Sequence, residues 1–198
     1  MKFTNVRVFF SKTGNAKYIS HLDLYRAFGR ALKRSALPLW VTEGFNPHIY
    51  TTFALPLALG IEGKQESVDI RLTQEVTFDE VVLRLNAVMP TGLCILRAAV
   101  PVRNANDITK ARYFIESADI TAFDEFFAAE SIEIVKKSKT KTQTLDVKPL
   151  SEWDSATRTL TLPAGNELTI NPLTVLAQGH FRSVTRSAIL CGDGAYFM

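Results

Sequence analysis

"NVRVFFSKTGNAKYISHLDLYRAFGRALKRSALPL", residues 5–39, decides how the chain is read. Its opening "NVRVFFS" alternates in the β manner and is rich in Val and Phe, so it predicts a strand. "KTGNAKY" is turn chemistry. Ser20 then stands as an N-cap with Asp23 three residues on, a variant of the capping box. A helix follows to about Ser35, and Pro38 stops it. At 100° per residue, Leu24, Phe28, Ala31 and Leu32 fall in one arc with Tyr25 beside them. Asp23, Arg26, Arg30, Lys33 and Arg34 fall in the opposite arc. The first arc is expected to face a sheet and the second to face water or a partner.

Working outward, "LWVTEG" (39–44) and "ESVDIRLT" (66–73) predict strands, with "FNPHIYTTFALPLALGIEGKQ" as irregular chain between them. "TFDEVVLRLNAVMP" opens on a Thr cap with an acidic first turn and predicts a helix. "GLCILRAAVPV" predicts a strand. The order βαββαβ over about 100 residues is the ferredoxin-like pattern, two helices on one face of an antiparallel sheet. "PVRNANDITKA" (101–111) lacks apolar periodicity and reads as a linker. Beyond it come "ARYFIESA" as a strand, "TAFDEFFAAE" as a helix, and "SIEIVKKSK", "TQTLDVKPL" and "RTLTLPA" as strands. "NPLTVLAQGH" follows as a short helix capped by Asn171, and "SVTRSAILC" as a closing strand. The expected fold is therefore α+β: tandem ferredoxin-like βαββαβ units, antiparallel sheets with helices on one face, over residues 1–103 and 110–198.

The chain has 198 residues and a formal net charge of +3, unevenly placed. Residues 1–50 hold eight Lys/Arg against Asp23 and Glu43, while the remaining 148 hold 15 basic and 18 acidic residues. Such asymmetry points to a polyanionic partner for the basic part. Arg26, Arg30, Lys33 and Arg34 lie along roughly 12 Å of helix, which suits a nucleic-acid backbone better than one small anion. Lys12 and Lys17, in the preceding turn, extend this expected ridge. A plain solvated face, with Asp23 pairing Arg26, is the competing reading. A second basic cluster, "KKSKTKTQTLDVK", spans residues 136–148.

Three histidines punctuate the chain. His21 sits in the first turn of the basic helix, where the helix dipole disfavours imidazolium. His48 follows Gly44-Phe45-Asn46-Pro47, a turn in which Pro47 fixes the backbone. If that turn returns past the helix start, His21, Asp23, Asn46 and His48 line one contact site. Two histidines and an Asp suffice for metal-free cleavage of RNA, with His21 and His48 as base and acid, or simply for packing and capping. His180 reads as a polar residue at a helix end.

Cys94 and Cys191 have no CxxC or CxxH spacing and are expected to be two buried free thiols. An iron–sulfur cluster held by this chain alone is excluded by its thiolate count. No dedicated metal motif and no phosphate-cradling glycine loop occurs, so neither a metal nor a cofactor is expected. The N-terminus lacks a signal-peptide core and no run of 18 apolar residues occurs, so a cytoplasmic protein without a membrane partner is expected.

"FSKTGNAKYISHLDLYRAFGRALKRSALPL" and "EGFNPHIYTTFALPLALGIEGKQESVDIRL" resemble the radical-SAM-linked protein family, a bacterial domain of unknown function found fused to or encoded beside a radical SAM enzyme. The Ser20-His21-Leu-Asp23, Gly44-Phe45-Asn46-Pro47-His48 and Leu-Gly-Ile-Glu segments carry the resemblance over about residues 6–72. "LDVKPL", "NPLTVL" and Arg186 extend it weakly. The chain departs from the pattern in lacking a second proline after His48. It also lacks CxxxCxxC, so radical chemistry would belong to a partner. The resemblance implies an accessory role beside a separate radical SAM enzyme. More distantly, the region resembles ferredoxin-like RNA-binding and RNA-cleaving proteins of CRISPR systems, an analogy of fold only. Three expectations result. The first is a non-enzymatic accessory protein that binds structured RNA such as tRNA. The second is a metal-independent endoribonuclease using His21 and His48. The third is a protein-interaction adaptor without nucleic acid.

Overall fold

The computed structural model describes residues 3–137, 142–178 and 181–198. The protein is mixed α+β, with mostly antiparallel sheet and four α-helices among these residues. The chain divides into two compact units, residues 1–105 with Met198, and residues 106–197. None of the described helices is long and apolar enough to cross a membrane.

In the first unit, β1 (Thr4–Lys12) lies between β3 (Glu62–Leu72) and β4 (Leu93–Ala99), antiparallel to both. The short β2 (Thr51–Phe53) pairs antiparallel with β3. The register sets Val8 opposite Val68 and Phe10 opposite Glu66 and Ile95. Alternation then sends Val6, Val8, Phe10, Val68, Ile70, Leu72, Leu93 and Ile95 to one face. There they meet Leu24, Phe28 and Leu32 of α1 (His21–Arg34) and Val81 and Leu85 of α2 (Phe78–Asn86) in one buried core. Burying each such side chain contributes about 1.5–3 kcal/mol. Both helices start on a hydroxyl cap: the Ser20 and Thr77 side chains accept from the N–H of Asp23 and Glu80. The phase of α1 is the expected one, with Leu24, Phe28 and Leu32 buried and Arg26, Arg30 and Lys33 exposed.

In the second unit, β5 (Ile108–Glu116) lies between β10 (Ser183–Cys191) and β9 (Thr159–Pro163), again antiparallel, with β8 (Glu152–Asp154) beyond β9. β6 (Glu133–Lys137) and β7 (Thr142–Asp146) pair only with each other. Phe127 of α3 (Thr121–Ala128) stacks on Trp153 at 5.2 Å, and the indole N–H of Trp153 donates to Asp124 at 2.7 Å. Asn171 caps the four-residue α4 (Pro172–Val175), as its Asn-Pro start predicts.

Several expectations change. Residues 39–44 form no strand; Leu39 bridges Leu72 singly and Val41 bridges Ile49. The β-branched pair is used within a narrow local loop, so the sheet gains only Thr51–Phe53. β5 begins at Ile108, inside the expected linker, because Ile108 and Ala111 are buried. The strand β8 was not foreseen: only three residues long, it shows too little alternation to read. Cys191 is buried, but Cys94 is exposed, since it alternates with the buried Leu93 and Ile95. His180 and residues 138–141 of the second basic cluster lie outside the described residues.

Candidate nucleic-acid interface

The site is built at the start of α1. Ser20 is extended, so its hydroxyl oxygen can accept from the Asp23 N–H at 3.1 Å while the hydroxyl donates to the Asp23 carboxylate at 2.7 Å. That donated bond, then Arg26 at 3.4 Å, holds the Asp23 carboxyl below the usual carboxylate range. Further along the same face stand Arg30, Lys33 and Arg34, all exposed. Arg34 donates to the Val88 carbonyl at 2.7 Å, and Arg26 is shared with Asp23. Arg30 and Lys33 make no hydrogen bond or ion pair among the described residues. They are the ridge members that no described hydrogen bond or ion pair holds, although the Arg30 charge also helps to keep the Asp23 carboxyl low.

The two lysines of the preceding turn are placed differently. Lys12 does not extend the ridge. It is 1% exposed, ends β1 on the helix-facing side, and donates to the Ile19 carbonyl at 3.0 Å. The alternation of β1 carries it inward, a consequence hidden while residue 12 is assigned to a turn. Glu66, 3% exposed, shares that face of the sheet. Gly63 leaves room for it: a Cβ there would collide with the Glu66 carboxylate and lie 2.6 Å from its Cγ. Lys17 is half-buried, 3.9 Å from Glu62 and over the Tyr18 ring, so its charge is largely answered within the chain.

His21 packs edge-on against Phe53, with ring centroids 5.2 Å apart, and its Nδ1 is buried without a hydrogen-bond partner. Desolvation, reinforced by the Lys12 charge, pushes its pKa below the ordinary 6.5. The ring is therefore neutral in the folded protein at pH 7. Because the unfolded chain takes up the proton first, stability falls as pH drops through about 6.5 and levels off below the folded value. The melting temperature is expected to fall on going from about pH 7.5 to about pH 5, and His21→Gln is expected to lose part of that dependence. An equal pH dependence in both proteins would show that His21 does not titrate as its burial implies.

His48 has separate partners. Its N–H donates to Thr42 Oγ1 at 3.1 Å, and its Nδ1 lies 3.0 Å from the same oxygen and 2.9 Å from the Asn46 carbonyl. A carbonyl only accepts, so Nδ1 is the nitrogen placed to donate. His48 belongs to the loop and His21 to the core edge. No described contact joins the two rings. Among the described residues no cluster of His, Cys, Asp and Glu could hold a metal.

Two groupings were not foreseen. Arg7 makes a two-pronged ion pair with Asp69 at 2.7 and 2.8 Å. The Arg71 guanidinium lies 4.1 Å from the Phe3 ring centroid, 3.9 Å from Tyr50 and 5.0 Å from Trp40, and donates to Asn5 at 3.1 Å. Both follow from one register, in which Arg7 opposes Asp69 and Asn5 opposes Arg71. The alternating "NVRV" and "VDIR" held that signal for anyone who paired them antiparallel.

Residues 5–177 match the model of a family described as an uncharacterized protein conserved in bacteria (DUF2344). No curated protein matches the chain.

Proposed function

The chain belongs to this bacterial DUF2344 family, and on that premise we propose that it is a non-catalytic accessory module gripping the phosphate backbone of a structured RNA through the exposed face of α1. The observation that carries the reading is the pair Arg30 and Lys33, exposed, about one turn apart and without an ion pair among the described residues, between Arg26 and Arg34. We read both units as one tandem ferredoxin-like βαββαβ plan. The strand orders β4-β1-β3-β2 and β10-β5-β9-β8 support it, with the β6–β7 hairpin as an addition to the second unit. The resemblance of residues 6–72 to radical-SAM-linked proteins supports action beside a separate radical SAM enzyme.

Bulk tRNA is a suitable probe. Two to four phosphate contacts give a slope of log K against log salt of about −2 to −4. Arg30→Glu with Lys33→Glu is expected to reduce that slope by about two and to remove most of the binding at low salt. Binding that is insensitive to salt and to this double variant would defeat the RNA reading. Affinity for an acidic protein with none for RNA would favour the adaptor. The RNA should emerge uncut, since His21 packs on Phe53 and His48 is held by Thr42 and Asn46, with no described contact between the two rings. Cleavage lost in His21→Ala while binding persists would instead establish the endoribonuclease.

A further inference from the structure

Residues 40–50 form a braced finger. Val41 bridges Ile49, the Thr42 N–H donates to the His48 carbonyl at 2.8 Å, and the Tyr50 N–H donates to the Trp40 carbonyl at 3.3 Å. Thr42 and His48 close the loop through their side chains as well. At its base, Trp40 and Tyr50 pack around Arg71, and the Trp40 N–H donates to the Arg71 carbonyl at 2.9 Å. At its tip, Gly44 adopts φ +118°, a backbone conformation that L side chains rarely adopt. Next to it Phe45 is 105% exposed, more open than any other large apolar side chain described.

A fully exposed phenylalanine on a loop with this much internal bonding serves no packing purpose within the chain. The loop is already ordered, so docking the ring costs little conformational entropy. Buried aromatic anchors of this kind dominate protein–protein affinity. The local charge decides the occupant. Along the chain there is no Lys or Arg between Arg34 and Lys64, the charged residue nearest Phe45 in sequence is the exposed Glu43, and the Arg71 at the base of the finger is only partly exposed and set among the rings of Phe3, Trp40 and Tyr50. A nucleic-acid backbone or an anionic membrane would find no Lys or Arg among residues 41–49 that carry Phe45 and would meet a carboxylate. We infer that residues 41–49 are a docking finger that seats Phe45 in an apolar pocket of a protein partner, a pocket with neutral or basic groups at its rim to face Glu43. This surface is distinct from the basic face of α1 and goes beyond the RNA-binding reading.

The test places the photo-crosslinking residue p-benzoylphenylalanine at position 45 of the full chain in its host cells. The captured polypeptide is identified, purified and titrated. Wild type should bind it with an affinity that changes little with salt. Phe45→Ala should bind about 30-fold more weakly, and Phe45→Leu should keep most of the affinity. Thr42→Val, which loosens the His48 brace, should fall between them. Phe45→Ala and Phe45→Leu should melt as wild type does, because Phe45 contributes nothing to the core. Crosslinks confined to RNA, to lipid or to a second copy of the chain would overturn the proposal. So would no crosslink at all, or a partner that binds Phe45→Ala as well as wild type.

Discussion

Phe28→Ala is expected to cost about 3–5 kcal/mol of folding stability, read from urea unfolding. Phe28 is 1% exposed and sits where α1 meets the sheet. Its ring is tilted on Phe10 at 4.7 Å and edge-on to Phe53 at 5.3 Å. Truncation leaves a cavity bounded by strands that cannot collapse into it without disturbing their pairing, so the upper part of the range is favoured. Phe53 also bears on His21, so the same cavity should loosen the imidazole and weaken the pH dependence of stability. Arg30→Ala, two residues along but facing outward, should change stability by no more than about 0.5 kcal/mol. A Phe28→Ala loss below about 1 kcal/mol would mean that α1 is not anchored through this ring.

The elements that were legible in advance carry their own signals. α1 could be read because its cap, its 3.6-residue apolar period and its stopping proline agree with one another. β1 and the second half of β3 could be read because apolar residues alternate there, and β4 and β10 because each carries a short aliphatic run. Loop 39–50 could not, because Val41 and Trp40 have strand propensity, and their partners Ile49 and Tyr50 lie across a turn rather than along the sheet. The charged residues show the same limit. Composition counts Arg7 and Lys12 among the cations of the first 50 residues, but both are buried, and neither contributes to a surface field in the way Arg30 and Lys33 do. Charge asymmetry in a sequence is a sum over side chains whose direction is unknown, and strand alternation supplies that direction only once the register is known. The outward arc of α1 escapes this difficulty, since helix phase follows from the sequence alone.

The register behind Arg7 also yields a large expected effect. Asp69→Ala is expected to destabilise the protein by about 3 kcal/mol, at the low end for breaking a buried ion pair. The Arg7 side chain is 2% exposed and that of Asp69 25%, so the partners are unequal. Removing Asp69 strands a guanidinium that cannot reach water, although its other contacts persist. Removing the guanidinium leaves a carboxylate that still has access to solvent, so Arg7→Met should cost less through charge and more through lost packing. Replacing both, in Arg7→Met with Asp69→Leu, removes the charges together and their desolvation with them. That double variant should be more stable than Asp69→Ala. The cycle of single and double replacements should return a coupling energy of about 1–3 kcal/mol. Additive losses would show that Arg7 is held by its remaining partners and that Asp69 contributes little to the pairing of β1 with β3.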